Sequence, residues 1–350
     1  MDAFEVFKII LGLVISAFII IMVMNFADSY IDINASKKEV SDLRAFERSV
    51  GDVYVNGIPS NYSFSDDAYS SIAFYRPPQL LAEFADIDFG FVPFFFKKGR
   101  TVSMGRVTED LGWWRFDYIM SLPKTRIVFI LVTDSPDADE TVKLISSVFP
   151  DTNNVEPKML FGVGCEGVNY YPLETWTRDK FVHDMIPYMR SLVDFEDKCV
   201  GNVEDDEIII YISDETIEFE KGVLVIASGP SWGHIHTNVS GILKNYTYSD
   251  GLDIASFALG GSDFYNYKKE IYLKQLRTAA DIKMNEITLL SSRITNPECI
   301  IKYSTFSAIL QQIYDVSLLD YQDEFNIISL SENIKRSVDF YKSLEESGCA

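Results

Sequence analysis

The run from Val6 to Ala27 constrains this chain more than any other stretch, because its core, Ile9 to Met24, holds no charge and only Ser16 as a polar interruption. A helix rises about 1.5 Å per residue and a bilayer core is about 30 Å thick, so roughly 20 apolar residues are needed to cross it. The run has that length, and Lys8 and Asn25 lie near its ends, where polar side chains reach the headgroups. A cleaved secretory signal is the rival reading, but its apolar core is usually about 7 to 15 residues and ends at a small-x-small site. Here the exit reads MNFADSY, with Asn25 where a small residue is wanted. A soluble core helix would keep a polar face, which this run lacks. The expectation is a tail, 1–5, then a single uncleaved anchor, 6–27, with the lipid bilayer as its partner.

Three signals bear on the side of the membrane. Lys37, Lys38 and Arg44 after the run outnumber Lys8 before it, which favours a cytoplasmic domain. Against this stand four N-x-S/T sequons, at Asn34, Asn61, Asn238 and Asn245, and an even set of cysteines, Cys165, Cys199, Cys299 and Cys349. Cys299 opens an amphipathic stretch and Cys349 follows Gly348, a natural helix stop, so a bridge between them would staple the last helix. Cys165 with Cys199 would then be the second bridge, although spacing leaves the connectivity open. The balance places the domain outside the cytoplasm.

A net charge of −21 argues against nucleic acid as a partner, since a polyphosphate needs a basic footprint. The charge is uneven. Lys97 to Ile127 holds seven basic residues against three acids, whereas Val193 to Glu220 holds eleven acids against Lys198 alone. The two blocks have the signs to attract each other, or to sit as solvated turns.

Pattern supplies the rest of the architecture. Residues 28–69 read as a stalk helix, with Val40, Leu43 and Phe46 spaced three apart, followed by a linker. An α/β domain is expected over 70–264. It opens with an aromatic-rich β segment: Asp86 to Phe96, a hairpin turn at Lys97 to Arg100, and Trp113 to Met120. Trp113, Trp114 and Phe116 read as core packing rather than a sugar platform. Apolar runs at Ile127 to Thr133, Met159 to Val163, Glu207 to Ile212 and Val223 to Ala227 alternate with helices over Glu140 to Phe149 and from Thr177 toward Phe195. That alternation predicts a central βαβ-type, largely parallel sheet. The region 265–350 reads as a C-terminal helical bundle, its last helix opened by a Ser329–Glu332 capping box.

Chemistry is thinly signalled. Cys165 sits in PKMLFGVGCEG, at the end of a predicted strand and flanked by Gly162, Gly164 and Gly167. Such a bend can expose a thiolate, and the stretch resembles the nucleophile turn of class I glutamine amidotransferases over about a dozen residues. The resemblance implies a cysteine-nucleophile hydrolase. The spacing carries an extra residue, however, and no His-x-Glu pair accompanies it. His234 and His236 are the other constellation: two residues apart on a strand they share a face and could reach one metal. No cofactor is expected, because the glycine pairs lack phosphate-cradling contexts. The order of Glu5, apolar helix, helical continuation and head also resembles type IV pilin-like subunits over about the first 45 residues. The leading expectation is a single-pass protein whose external α/β domain is a non-enzymatic binding or scaffold module with a protein partner at the cell surface.

Overall fold

The computed structural model describes residues 19–22, 24, 36–90, 92–131, 135–146, 148, 155–161, 171–172, 208–217, 219, 222–228, 232–239, 242–321 and 323–349. It is a mixed α/β fold with parallel pairing in two sheets and a C-terminal helical region.

Helix α1, residues 36–56, forms where apolar residues recur at three and four, and it buries Leu43, Phe46, Val50 and Val53. Gly57 ends it in the left-handed conformation (φ 69°), with its N–H donating to the Val53 carbonyl at 2.8 Å. Phe46 lies among Tyr62, Phe64, Phe89, Phe94 and Phe96, mostly edge to face. The segment read as stalk and linker thus contributes, from residue 36 on, to the same core as the aromatic strands.

That core covers one face of a four-stranded sheet. Its strands are β1 (Ser60–Ser63), β5 (Phe94–Phe96), β6 (Thr101–Asp110) and β7 (Arg115–Pro123), in the order β1-β6-β7-β5. A short helix α2 (Asp66–Ser71) and a three-stranded antiparallel sheet of β2 (Phe74–Arg76), β3 (Gln79–Leu81) and β4 (Asp86–Asp88) complete the layer. Two expectations are corrected here. Asp86 to Phe96 is two strands in different sheets, broken at Gly90 (φ 63°). Lys97 to Arg100 is no hairpin turn: β5 pairs in parallel with β7, so these residues cross over to β6 on the far side of β7. A tight turn joins only antiparallel neighbours, and the true hairpin is at 111–114, between β6 and β7.

The second sheet has seven strands: β8 (Thr125–Leu131), β9 (Val155–Phe161), β10 (Tyr171–Pro172), β11 (Ile208–Ser213), β12 (Val223–Ala227), β13 (Gly233–Val239) and β14 (Ile242–Tyr248), ordered β10-β9-β8-β11-β12-β13-β14. The expected parallel pairing holds at the centre, from β9 through β8 and β11 to β12. Both flanks are antiparallel, which makes the sheet mixed rather than largely parallel. The physical reason is connection length. β13 and β14 are separated by two residues, enough for a hairpin and too few for a crossover.

Helix α3 (Pro136–Ser146) and the long helix α4 (Gly251–Ser291) cover one face of this sheet, over Ile127, Phe129, Ile210, Ile212 and Val225. The helical region therefore starts at 251 rather than 265. Helix α5 (Pro297–Val316) and helix α6 (Glu324–Glu346) pack on α4. Asp323 caps α6 by accepting from the Phe325 N–H at 3.0 Å, so Ser329 and Glu332 lie within the helix and form no capping box at its start. Trp113 is core as expected: it is 5% exposed, donates to Ser337 Oγ at 2.9 Å and meets Phe306 edge to face.

Among the described residues no helix is long and apolar enough to cross a membrane. The anchor expected over 6–27 lies outside them except at 19–22 and 24, which are helical and exposed. The predicted helix from Thr177 and most of the acidic block 193–220 also lie outside.

Candidate functional site

The most concentrated chemistry is internal. α4 departs from helical geometry at Gly261 (φ 65°, ψ −152°). In a straight helix Asp253 and Lys268 would stand about 22 Å apart along the axis. They form an ion pair of 2.9 Å, so the chain folds back at Gly261 and lays its second segment beside its own N-terminus. Gly260 serves the same reversal, since a Cβ there would meet the Phe264 ring at 2.2 Å.

Four charges meet across that fold. Lys268, with no exposed side-chain surface, pairs with Asp253 and more closely with Asp250; Lys269 pairs with Asp253 Oδ2 at 2.6 Å and donates to Ser249 Oγ at 2.8 Å. Asp250 also caps α4 by accepting from the Asp253 N–H at 2.9 Å. The ammonium of Lys268 lies 4.3 Å from the Tyr272 ring centre, and that of Lys269 5.6 Å from Tyr265. These contacts make burial of two adjacent lysines tolerable, since a buried charge is stable only when paired and hydrogen-bonded.

A fifth ionisable group enters from β6. Glu109 faces the α4 side of its sheet, and Tyr272 donates to its Oε1 at 3.0 Å. Its Oε2 and the neighbouring Tyr118 hydroxyl are enclosed with no hydrogen-bond partner. Burial, reinforced by Asp250, pushes the Glu109 carboxyl up to about 7 despite the attraction of Lys268. Burial would also push Asp253 up, but Lys268 and Lys269 outweigh it and hold that carboxyl at about 2. Lys268 is the mirror case: burial lowers it, and Asp250, Asp253 and Glu109 raise it beyond its ordinary value. With Glu109 protonated the two ammonium and two carboxylate charges balance. On the solvent side a narrow cleft, lined by Lys269, Tyr272, Leu319, Asp320 and Tyr321, leads toward it.

The residues singled out from sequence lie elsewhere. His234 and His236 share one face of β13 with ring centres 6.3 Å apart, and His234 Nε2 lies 3.6 Å from Glu324 Oε1. Burial, then His234, lowers the pKa of His236. Among the described residues no group of three His, Cys, Asp or Glu side chains is placed to hold a metal. Cys299 and Cys349 are bonded, with Cα atoms 5.4 Å apart. Asn61 and Asn245 are exposed, on β1 and β14. Cys165, Cys199, Asn34 and the Asn238 side chain lie outside the described residues. The one signal of this cluster in the residues is the pair of adjacent lysines in Tyr267-Lys-Lys-Glu, between apolar positions of one helix.

No family model, no curated protein and no solved structure matches the chain, so any functional reading rests on its own residues.

Proposed function

We propose that this protein is a single-pass membrane protein, anchored through 6–27, whose α/β domain stands outside the cytoplasm as a non-enzymatic binding or scaffold module for a protein partner at the cell surface. The Cys299–Cys349 disulfide is the observation that carries the placement. Structural disulfides persist in oxidising compartments and are rare in the reducing cytosol. Asn61 and Asn245 at exposed positions are compatible with glycosylation there. The exposed Ile19, Ile20, Ile21, Met22 and Met24, each more than half accessible, support an anchor that lipid covers. The scaffold reading is supported by the ion cluster, whose charges are spent on one another across the fold of α4.

Protease treatment of intact cells or spheroplasts tests the placement. Digestion of the domain from outside, with Cys299 and Cys349 recovered in one disulfide-linked peptide, is the expected result. A domain protected until the membrane is lysed, with both cysteines alkylatable, overturns it.

A further inference from the structure

We propose that the outward face of α1 rests on the headgroups of an anionic phospholipid bilayer, an inference that relies on the anchor reading above and not on the side of the membrane. At 100° per residue, Lys37, Arg44, Arg48 and Val55 fall within about 40° of one another around the helix. They lie opposite the face that buries Leu43, Phe46, Val50 and Val53. Two of the four acids of the same helix, Glu39 and Asp42, are turned away from this line. Glu39 is buried and accepts from the Phe84 N–H at 3.0 Å, and Asp42 accepts from the Ser65 N–H at 2.7 Å and from the Tyr62 hydroxyl. Both carboxylates are thus satisfied by neutral donors. Lys38 pairs with Asp67 at 2.9 Å, while Lys37, Arg44 and Arg48 form no ion pair among the described residues. A shallow groove lined by Lys37, Val40, Ser41, Arg44 and Arg48 contains no acid. Glu47 and Asp52 border the stripe on either side.

Two further facts select a bilayer as the occupant. Only residues 28–35 separate the apolar run from α1, and fully extended they reach at most about 28 Å. The start of the helix is therefore held within that distance of whatever membrane the run occupies. The charge of the whole chain, −21, would be repelled by an anionic surface, whereas the stripe on the helix that follows the apolar run in sequence carries the complementary sign. At the far end of the same line Val55 is 76% exposed, and Ile58, just past the Gly57 stop, is 70% exposed, apolar contacts of the kind that enter the headgroup boundary. Each cation at such a surface adds roughly fivefold to its affinity, so the three together add on the order of a hundredfold, within a screening length of about 10 Å.

The test uses the full chain reconstituted in nanodiscs of phosphatidylcholine alone or with about a third phosphatidylglycerol, the anionic component on which the attraction depends. Acetylation of Lys37 and phenylglyoxal modification of Arg44 and Arg48 are followed by mass spectrometry, with exposed Lys274 on α4 as the internal reference. The expected result is several-fold slower modification of all three residues in anionic discs, reversed by about 0.5 M salt. An Arg44→Glu, Arg48→Glu double variant with an unchanged far-UV spectrum should return Lys37 to its rate in neutral discs. Equal rates in the two lipids, with the chain resistant to carbonate extraction, overturn this proposal and leave the anchor standing. A chain released by carbonate overturns both.

Discussion

Lys268 illustrates how a residue type ordinarily found at the surface comes to sit with no exposed side-chain area: Asp250, Asp253 and the Tyr272 ring replace its water. Removing one partner leaves an uncompensated buried charge, so Asp253→Asn or Lys268→Met alone should cost about 3 to 5 kcal/mol in chemical denaturation. Glu109 gives the opposite pH sign from most carboxylates. Its folded-state pKa is raised to about 7, so between its ordinary value and 7 the folded chain holds a proton that the unfolded chain has lost. Stability should therefore fall by about 3 kcal/mol as pH rises from about 4.5 to 7, and level off above that. Glu109→Gln should abolish the slope in a thermal-melt series across this range; a slope that survives the substitution refutes the assignment. Asp253 works at the other end: its depressed pKa contributes stability above its ordinary value that is lost as pH falls toward 2. None of these states was legible from residue types, because each is set by desolvation and by charges distant in sequence.

Among elements, α4 is the one whose sequence and structure diverge most. Leu273, Leu276, Ala280 and Ile287 recur at helical spacing and are buried as that spacing implies. The reversal at Gly261 has no periodic signature, and only its positive φ explains why glycine is needed there. Gly261→Ala should destabilise by about 1 to 3 kcal/mol through backbone strain, although no atom lies within 4 Å of the added Cβ. Helix α6 poses a second element-scale question, that of attachment. Its C-terminal end is tied to the first turn of α5 by Cys299–Cys349, across a sequence separation of 50. By loop-closure entropy such a bridge contributes about 4 kcal/mol, so Cys349→Ser should lower the denaturation midpoint accordingly and speed hydrogen exchange in the last turns of α6 first. The staple was legible from two positions, a cysteine opening one amphipathic stretch and another just past a helix-stopping glycine.

For the whole molecule, the informative boundary is the one between the apolar run and the domain. A chain begun at residue 70 lacks Leu43, Phe46, Val50, Val53 and Phe64 and would leave Phe94, Phe96 and Met104 uncovered on one face of the four-stranded sheet. Such a truncation should aggregate, whereas one begun at residue 28 should stay soluble and monomeric in size-exclusion chromatography. Features that depend on near neighbours along the chain are legible in the residues alone: the apolar run, the buried strands around Ile127, Ile210 and Val225, the helices of the C-terminal region, and the aromatic character of the first sheet. Periods of 2 and 3.6 report which face of an element is apolar, because backbone geometry repeats locally. That β5 lies beside β7, that α1 belongs to the core, and that Asp250, Asp253, Lys268, Lys269 and Glu109 share one enclosure emerges only from the folded arrangement. Those outcomes depend on which apolar faces cover one another and on how strongly paired charges offset their lost hydration, and neither quantity has a value until distant segments meet.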